Sequence, residues 1–302
     1  MPSNSPATPD IICIGSVLWD IIGRSRTGMV RGADVPGRIT RLPGGVAMNV
    51  AMTLRKLGMT PTLLTALGTD PAGEELIATC QRLGIQTEHV HRSANLPTDR
   101  YLAIEDSNGL IAAVADAHSL EAAGDNVMLP LTDGRLGGIA RPWPGLIALD
   151  GNLTESLLAD IAVSPVLAAA DLRVAPASAG KVGRVRPLLA NPRVTLYLNR
   201  EEAGLLCRTP FNDVHTAAHE LLMLGVRRVL VTDGERLCAD GKAGEGVITD
   251  RPRSVIAKRV TGAGDTFMAT HLAAEHRGAS RAEALAAAHR AAADYVAGEI
   301  GS

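Results

Sequence analysis

A glycine-rich stretch near the end of the chain, Thr261-Gly262-Ala263-Gly264-Asp265-Thr266, has the residue types needed to stabilise an anion. The two glycines permit tight turns and apolar residues follow at helical spacing, which predicts a loop that leads into a helix. Free backbone N–H groups and the positive end of a helix dipole would then lie beside the Asp265 carboxylate. These amides could stabilise a phosphoryl group in transfer while the carboxylate takes a proton from an attacking hydroxyl. Phosphoryl transfer is therefore the first hypothesis.

The same stretch, called here the glycine loop (residues 261–266), is also typical of an ordinary helix start, where small residues and acids are common. It is not a dinucleotide-binding fingerprint, because the third glycine is missing, and not a Walker A loop, because no Lys-Ser or Lys-Thr follows. These residues alone support both interpretations equally.

Other polar residues lie where predicted strands end or helices begin. Asp20 follows an apolar run at 11–15, in the region where open α/β sheets bind ligands, although an Asp there is more often a turn or cap residue. Gly44-Gly45 precedes a predicted helix with Asn49 in its first turns, and its alternative is a tight loop. Asn199 and Glu202 have the spacing of a capping box.

The elements that must position these residues alternate between strand and helix. Strands are predicted at 11–15, 63–67, 85–91, 146–149, 166–170, 194–198 and 229–231, and short antiparallel strands at 237–239, 246–249 and 254–257. Helices are predicted at 46–57, 74–83, from 154, at 263–277 and at 281–296. This alternation predicts one α/β domain, residues 1–302, with a doubly wound, mostly parallel sheet.

Residues 21–43 and 98–115 interrupt the alternation. The second range predicts a β-hairpin that turns at Asn108-Gly109, and both ranges together predict a small sheet covering a site. Periodicity does not separate such a lid from a surface flap without function.

Composition excludes several classes of function. The 302 residues are 46% hydrophobic and 21% charged with a net charge of -2, which gives no footprint for nucleic acid or an anionic membrane and favours a small-molecule partner. The four cysteines form no Cys-x-x-Cys pair, so neither a zinc site nor a disulfide framework is expected. No apolar run approaches the roughly 20 residues of a membrane span, and the first ten residues do not resemble a signal peptide, so a cytoplasmic protein is expected.

Gly44-Gly45-Val46-Ala47-Met48-Asn49-Val50-Ala51 together with the glycine loop and Phe267 resembles the two signatures of the PfkB, or ribokinase-like, carbohydrate kinases. Asp20, Asn199, Glu202 and Thr232-Asp233-Gly234 stand at matching intervals, and the resemblance extends from Ile11 to about Val296.

This resemblance implies a Rossmann-like α/β fold with a small β lid and transfer of the γ-phosphoryl group of ATP to a hydroxymethyl group. It implies Asp265 as the catalytic base, with an anion hole at Gly262, Ala263 and Gly264. The remaining implied roles are substrate binding by Asp20, Gly44, Gly45 and Asn49, nucleotide binding by Asn199, Thr232, Gly234, Thr261 and Gly264, and organisation of Mg2+ through water by Glu202 and Asn199.

Four stretches are similar to the pseudouridine kinase branch of that family, which phosphorylates the 5′-hydroxyl of pseudouridine: residues 98–104, 114–116, 149–153 and 176–181. They add Tyr101, Asp116 and Lys181 as substrate-binding candidates, with Lys181 reaching an acceptor on the uracil or, alternatively, lying as a solvated helix lysine. A kinase for another nucleoside or sugar, and a binding protein without turnover, are the competing hypotheses.

Three positions depart from the pattern. Arg259 stands where an Asp or Asn is usual, which leaves K+ dependence and the magnesium arrangement open, while Leu18 and Ala175 replace an Asn and an Asp. Family relatives often pair through the lid sheet, so a homodimer is expected, although residues 21–43 show no clear apolar interface.

Overall fold

A computed structural model describes residues 8–256 and 261–299. Within those ranges the main sheet has eight strands in the spatial order β14-β13-β12-β11-β10-β9-β1-β4. Their bounds are β1 Ile11–Ile14, β4 Pro61–Leu64, β9 Leu146–Asp150, β10 Asp171–Ala175, β11 Val194–Asn199, β12 Arg228–Thr232, β13 Cys238–Lys242 and β14 Gly246–Asp250.

The six strands from β4 to β12 are parallel, and β13 and β14 extend the sheet antiparallel. The chain order reverses between β1 and β9, because β1 pairs with β4 on one side and with β9 on the other. Ligands of open α/β sheets bind outside the carboxyl ends of the strands at such a switch point.

Helices cover both faces of this sheet: α1 Val46–Lys56, α2 Pro71–Arg82, α3 Ser119–Ala123, α4 Glu155–Val163, α5 Arg200–Cys207, α6 Val214–Met223, α7 Ala263–His276 and α8 Arg281–Val296. Short 3-10 helices occupy Gly124–Leu131, Pro165–Leu167 and Ala179–Leu188. Alternate residues of β1 enter two separate cores, Ile12 and Ile14 in one and Ile11 and Cys13 in the other. The predicted doubly wound α/β fold is therefore confirmed.

A second sheet, the small sheet, has the strand order β3-β2-β7-β8. It comprises β2 Leu18–Arg24, β3 Arg38–Gly44, β7 Arg100–Asp106 and β8 Gly109–Asp116, while β5 Ala66–Gly68 pairs with β6 His91–Ser93 elsewhere. The predicted hairpin is confirmed, because β7 and β8 pair antiparallel around the turn before Gly109, whose φ of 113° suits glycine.

Three strand predictions were wrong in position. Residues 85–90 form turns with one bridge, from Gln86 to Thr62, and the strand begins only at His91. Residues 165–167 form a 3-10 turn that begins at Pro165, and the strand is the following segment, β10. Residues 254–256 belong to no strand, and Ala257 lies outside the described residues.

Candidate active site

Asp150, at the end of β9, joins three backbone segments at the switch point. Its carboxylate accepts hydrogen bonds from the N–H groups of Ser16 at 2.7 Å, Ala47 at 3.3 Å and Asn152 at 2.7 Å. Gly15 packs so closely that a Cβ there would lie 2.3 Å from the carboxylate carbon. Burial raises the pKa of Asp150, opposed by these hydrogen bonds. Asp150 was assigned no role from the sequence, because two of its three partners, Ser16 and Ala47, are distant in the chain.

The backbone before α1 forms a close contact with Asp20. A Cβ on Gly44 would lie 2.0 Å from an Asp20 carboxylate oxygen, and one on Gly45 would lie 2.4 Å from the carbonyl oxygen of Ser16. Gly45 also has a φ of 91°, so two separate constraints require glycine there. Burial raises the pKa of Asp20 to about 6.

Asn49 connects α1 to α7 at the centre of the site. Its side-chain amide donates a hydrogen bond of 2.8 Å to the Asp265 carboxylate. Burial raises the pKa of Asp265 to about 7 against the effect of this bond, and the nearby Asp150, Asp20 and Glu202 raise it further. A carboxyl group with a pKa near neutrality is suited to accept a proton at physiological pH.

The first turn of α7 leaves backbone donors free. Gly262 is its N-cap, with a left-handed φ of 89° and no side-chain cap. The N–H groups of Ala263, Gly264 and Asp265 donate to no other residue in the described part of the chain. Five other helices have side-chain caps, from Asp70, Thr154, Asn199, Asp213 and Ser280. The start of α7 can therefore bind an anion through its amides.

A cavity of about 320 Å³ adjoins this turn. Its lining includes Thr232, Gly234, Ala263, Gly264, Phe267 and His289. Apolar side chains beside free amides suit a ligand with a flat base and a phosphate chain, so the residues present fit ATP. His289 was not predicted; its Nε2 lies 2.7 Å from an Asp250 carboxylate oxygen.

Asn199 and Glu202 form the capping box that their spacing indicated. Asn199 Oδ1 accepts from the Glu202 N–H at 2.8 Å, and Glu202 Oε2 accepts from the Asn199 N–H at 2.9 Å. Glu202 is buried, which raises its pKa. Among the described residues, no three His, Cys, Asp or Glu side chains converge closely enough to hold a metal ion. This donor set fits a Mg2+ ion that keeps its waters and arrives with phosphate groups.

The other predicted substrate residues differ in position. Tyr101 lies opposite Asp20 in the register of β2 and β7, and burial and the Asp20 charge raise its pKa. Lys181 donates a hydrogen bond of 2.6 Å to Asn152 Oδ1 and so is not simply solvated. Asp116 is exposed and opposite Arg100, one register position from the row of Asp20 and Tyr101 and thus on the other face.

Of two further residues named in the sequence analysis, Thr261 and Arg259, the structure describes only Thr261. The Thr261 carbonyl accepts a hydrogen bond from the Tyr295 hydroxyl at 2.9 Å. Arg259 lies outside the described residues.

A family model described as pfkB family carbohydrate kinase matches residues 8–298. The pseudouridine kinase of Escherichia coli (strain K12) is 30% identical over 266 residues, which cover 86% of this chain and 81% of that protein. A pseudouridine kinase of Arabidopsis thaliana is 32% identical over 111 residues, covering 36% of this chain and 29% of that protein.

Solved structures share the fold. A carbohydrate kinase from Agrobacterium tumefaciens has a TM-score of 0.77 at 26% identity, with 94% of this chain and 89% of that chain covered. A ribokinase from Arabidopsis thaliana, complexed with ribose and ATP, has a TM-score of 0.77 at 22% identity, with 98% and 94% covered. In the described residues, no helix has both the length and the apolar character to cross a membrane.

Proposed function

Because this chain belongs to the pfkB family of carbohydrate kinases, we propose that it transfers the γ-phosphoryl group of ATP to the 5′-hydroxyl of a nucleoside, with pseudouridine as the substrate. The proposal rests on one observation above all: Asp265, whose pKa is raised to about 7, lies in the same first turn as three free backbone amides. A proton acceptor and a candidate anion site thus lie within the same turn of helix.

Asp265 serves as the general base. The substrate oxygen forms a bond to the γ-phosphorus, the bond from that phosphorus to the β,γ-bridging oxygen breaks, and the hydroxyl proton passes to the Asp265 carboxylate as ADP leaves. Asn49 orients the carboxylate through its hydrogen bond of 2.8 Å. The amides of Ala263 and Gly264 stabilise the charge on the phosphoryl oxygens during the step.

When bound with the nucleotide, Mg2+ would supply positive charge that offsets the phosphate charge. In this proposal Oε1 of Glu202, the oxygen outside the capping box, would accept hydrogen bonds from the waters of the ion, and the side-chain N–H groups of Asn199 would donate to water or phosphate oxygens nearby. These two side chains have atoms left for that role because their mutual bonds use only Oδ1 of Asn199 and Oε2 of Glu202.

Two observations support pseudouridine as the substrate. Two relatives, one matching 86% of the chain and the other 36%, are pseudouridine kinases. A chain of hydrogen bonds also runs from Asp150 through Asn152 to Lys181. An ammonium group has three donors, so Lys181 keeps two for a carbonyl oxygen such as those of uracil.

The small sheet is proposed to act as a lid over the substrate. Asp20 and Tyr101 occupy one row of that sheet, and Asp20 is close enough to Asp265 to raise its pKa. Hydroxyl groups of a ribose bound between them would be held by Asp20, by Asn49 and by the backbone at Gly44 and Gly45.

The other face of the small sheet is proposed to pair with a second copy of the chain. Ile39, Leu102, Ile104 and Val114 share that face by register and are 77%, 42%, 38% and 62% exposed. The sequence showed no clear apolar interface in residues 21–43, because the face gains Leu102, Ile104 and Val114 only through strand pairing.

The direct test measures ATP-dependent phosphorylation of pseudouridine, uridine, adenosine, ribose and fructose with Mg2+, with and without K+. We expect kcat/KM for pseudouridine to exceed that for the other acceptors by at least about tenfold, or 1.4 kcal/mol. Turnover of another acceptor instead would keep the kinase and discard the pseudouridine assignment. Absence of all turnover with ATP still bound would favour a binding protein without catalysis.

A further inference from the structure

Tyr295, in the last turn of α8, contacts the glycine loop, and the proposed mechanism gives it no role. Its hydroxyl donates a hydrogen bond of 2.9 Å to the carbonyl oxygen of Thr261. A Cβ on Gly262 would lie 2.6 Å from the same hydroxyl oxygen. The phenol therefore packs directly on the peptide that precedes α7.

The carbonyl groups of this turn are both engaged. Thr261 accepts from Tyr295, and Gly262 accepts from the Thr266 N–H at 3.0 Å and the Thr266 hydroxyl at 2.9 Å. A trans peptide group is planar, so the direction of each C=O fixes the direction of the next N–H. The Thr266 bonds thereby fix the N–H of Ala263, and the Tyr295 bond fixes the peptide between Thr261 and Gly262.

Gly262 needs this second restraint. It has a left-handed φ of 89° and, as a glycine, has access to many other conformations of similar energy. Helix geometry restrains the backbone only from Ala263 onward. The hydroxyl of Tyr295 is a side-chain anchor at the point where the loop enters α7.

Building on the proposed kinase function, we propose that Tyr295 is a positioning residue, which holds the glycine loop so that its free amides meet the transferred phosphoryl group. The adjacent residue, Asp294, gives independent evidence that the C-terminal end of α8 positions residues around the cavity. Asp294 binds Arg253 at 2.6 Å, and Arg253 lines the same cavity as the loop. Adjacent residues of one helical turn thus fix two walls of that cavity.

The chain offers a matched experiment, because each of its three tyrosines has a different environment. Tyr295→Phe removes only the anchoring hydroxyl. We expect kcat to fall roughly fivefold to tenfold, because a loop that is held less firmly stabilises the transition state less well, with KM for the acceptor and the Tm little changed.

Tyr197→Phe is the control for loss of a phenol hydroxyl. Tyr197 is buried and its hydroxyl contacts Arg173 at 3.2 Å and His271 at 2.9 Å. We expect a lower Tm with kcat unchanged. If both variants lower Tm and kcat to the same extent, Tyr295 has only a structural role and the proposal is wrong.

Hydrogen–deuterium exchange supplies a readout that needs no substrate. A peptide spanning residues 261–268 should exchange faster in Tyr295→Phe than in the wild type, because the Thr266 N–H is protected by its bond to the loop. Unchanged exchange would overturn the proposal, whatever happens to kcat. If the wild type turns over no acceptor, the kinase function fails, while exchange still decides whether Tyr295 anchors the loop.

Discussion

The Asp265 carboxyl group is destabilised by the surroundings that make it a suitable base. Its burial and three neighbouring carboxylates oppose ionisation, and a side-chain hydrogen bond from Asn49 favours it. Sites that tune a carboxyl group toward neutrality commonly do so at a cost in stability. Activity and stability should therefore respond in opposite directions to a change at this residue.

Replacement of Asp265 by Asn removes the proposed base and keeps the size and shape of the side chain. We expect kcat to fall by about 10²–10⁴ with ATP binding retained, since the free amides belong to the backbone. Asp160→Asn makes the same chemical change on an exposed position of α4 and should leave kcat unaltered. Unchanged turnover in Asp265→Asn, measured by steady-state kinetics, would remove Asp265 from the role of base.

The same substitution should stabilise the fold above neutral pH. The folded-state pKa of about 7 exceeds the ordinary value of 3.8, so ionisation costs folding free energy above pH 7, and this cost disappears as the pH falls toward 4. Thermal unfolding should show a higher Tm for Asp265→Asn at pH 8 and little difference at pH 4. Correspondingly, kcat/KM of the wild type should rise with pH through about 7, and a flat profile would contradict the assignment.

At this scale the sequence predicted residues that belong to contiguous motifs. Asn49 and Asp265 were identified, and the structure brings them into contact. Asp150 and Tyr295 were not assigned roles, because their significance lies in contacts with backbone groups of other segments. A side chain that binds a distant peptide group leaves no spacing pattern in the sequence.

The helices that meet at the site, α1 and α7, both begin at glycines without side-chain caps. At α1 the distant Asp150 accepts from the Ala47 N–H, whereas the first amides of α7 have no acceptor among the residues that the structure describes. The first turn of α1 is therefore hydrogen-bonded to the end of β9, whereas the first turn of α7 is available to bind a ligand.

Glycines at the two ends of α1 allow a controlled test of this arrangement. Gly45 and Gly58 have similar φ values, 91° and 84°, but a Cβ on Gly45 would meet the Ser16 backbone and one on Gly58 would meet open space. Both alanine variants should lose stability from a positive φ, by about 1 kcal/mol at Gly58 and by up to about 3 kcal/mol at Gly45, whose ψ of 149° lies in a region almost exclusive to glycine. Only Gly45→Ala should also lower kcat/KM, by at least about tenfold, because Ser16 and Asn49 must shift. Equal kinetics in the two variants would contradict a role for the close contact.

The misplaced strand prediction at 166–170 has a physical origin in the next segment, β10. Its central residue Arg173 is buried and pairs with Asp171 and Glu275, both at 2.6 Å. A charged residue in a strand covered on both faces hides the apolar pattern on which strand prediction depends. The preceding apolar residues of the 3-10 turn, Val166 and Leu167, were chosen instead.

The assembly proposed for the whole molecule can be tested at the small sheet. Ile39→Glu places a charge on the exposed apolar face and should convert the homodimer into monomers. Val163→Glu, on a residue of α4 that is 83% exposed, is the control and should leave the dimer intact. Sedimentation velocity measures both, and a monomeric wild type would show that the pairing proposal is wrong.

Strand and helix alternation was sufficient to predict the architecture of the molecule as a whole. The parallel order of six strands follows from crossover helices of ordinary length. The position of the small sheet relative to the main sheet depends on side-chain packing, which periodicity does not specify.

The bond between Asn49 and Asp265 joins residues 216 positions apart. A ribosome adding roughly 5–20 residues per second takes on the order of 10–40 s to travel from one to the other. Throughout that interval the nascent chain has the residues of α1 without those of α7, so it has neither the proposed base nor the amides of the glycine loop. A chain whose translation stops early would therefore lack the groups that the proposed phosphoryl transfer requires, and it would not consume ATP by this route.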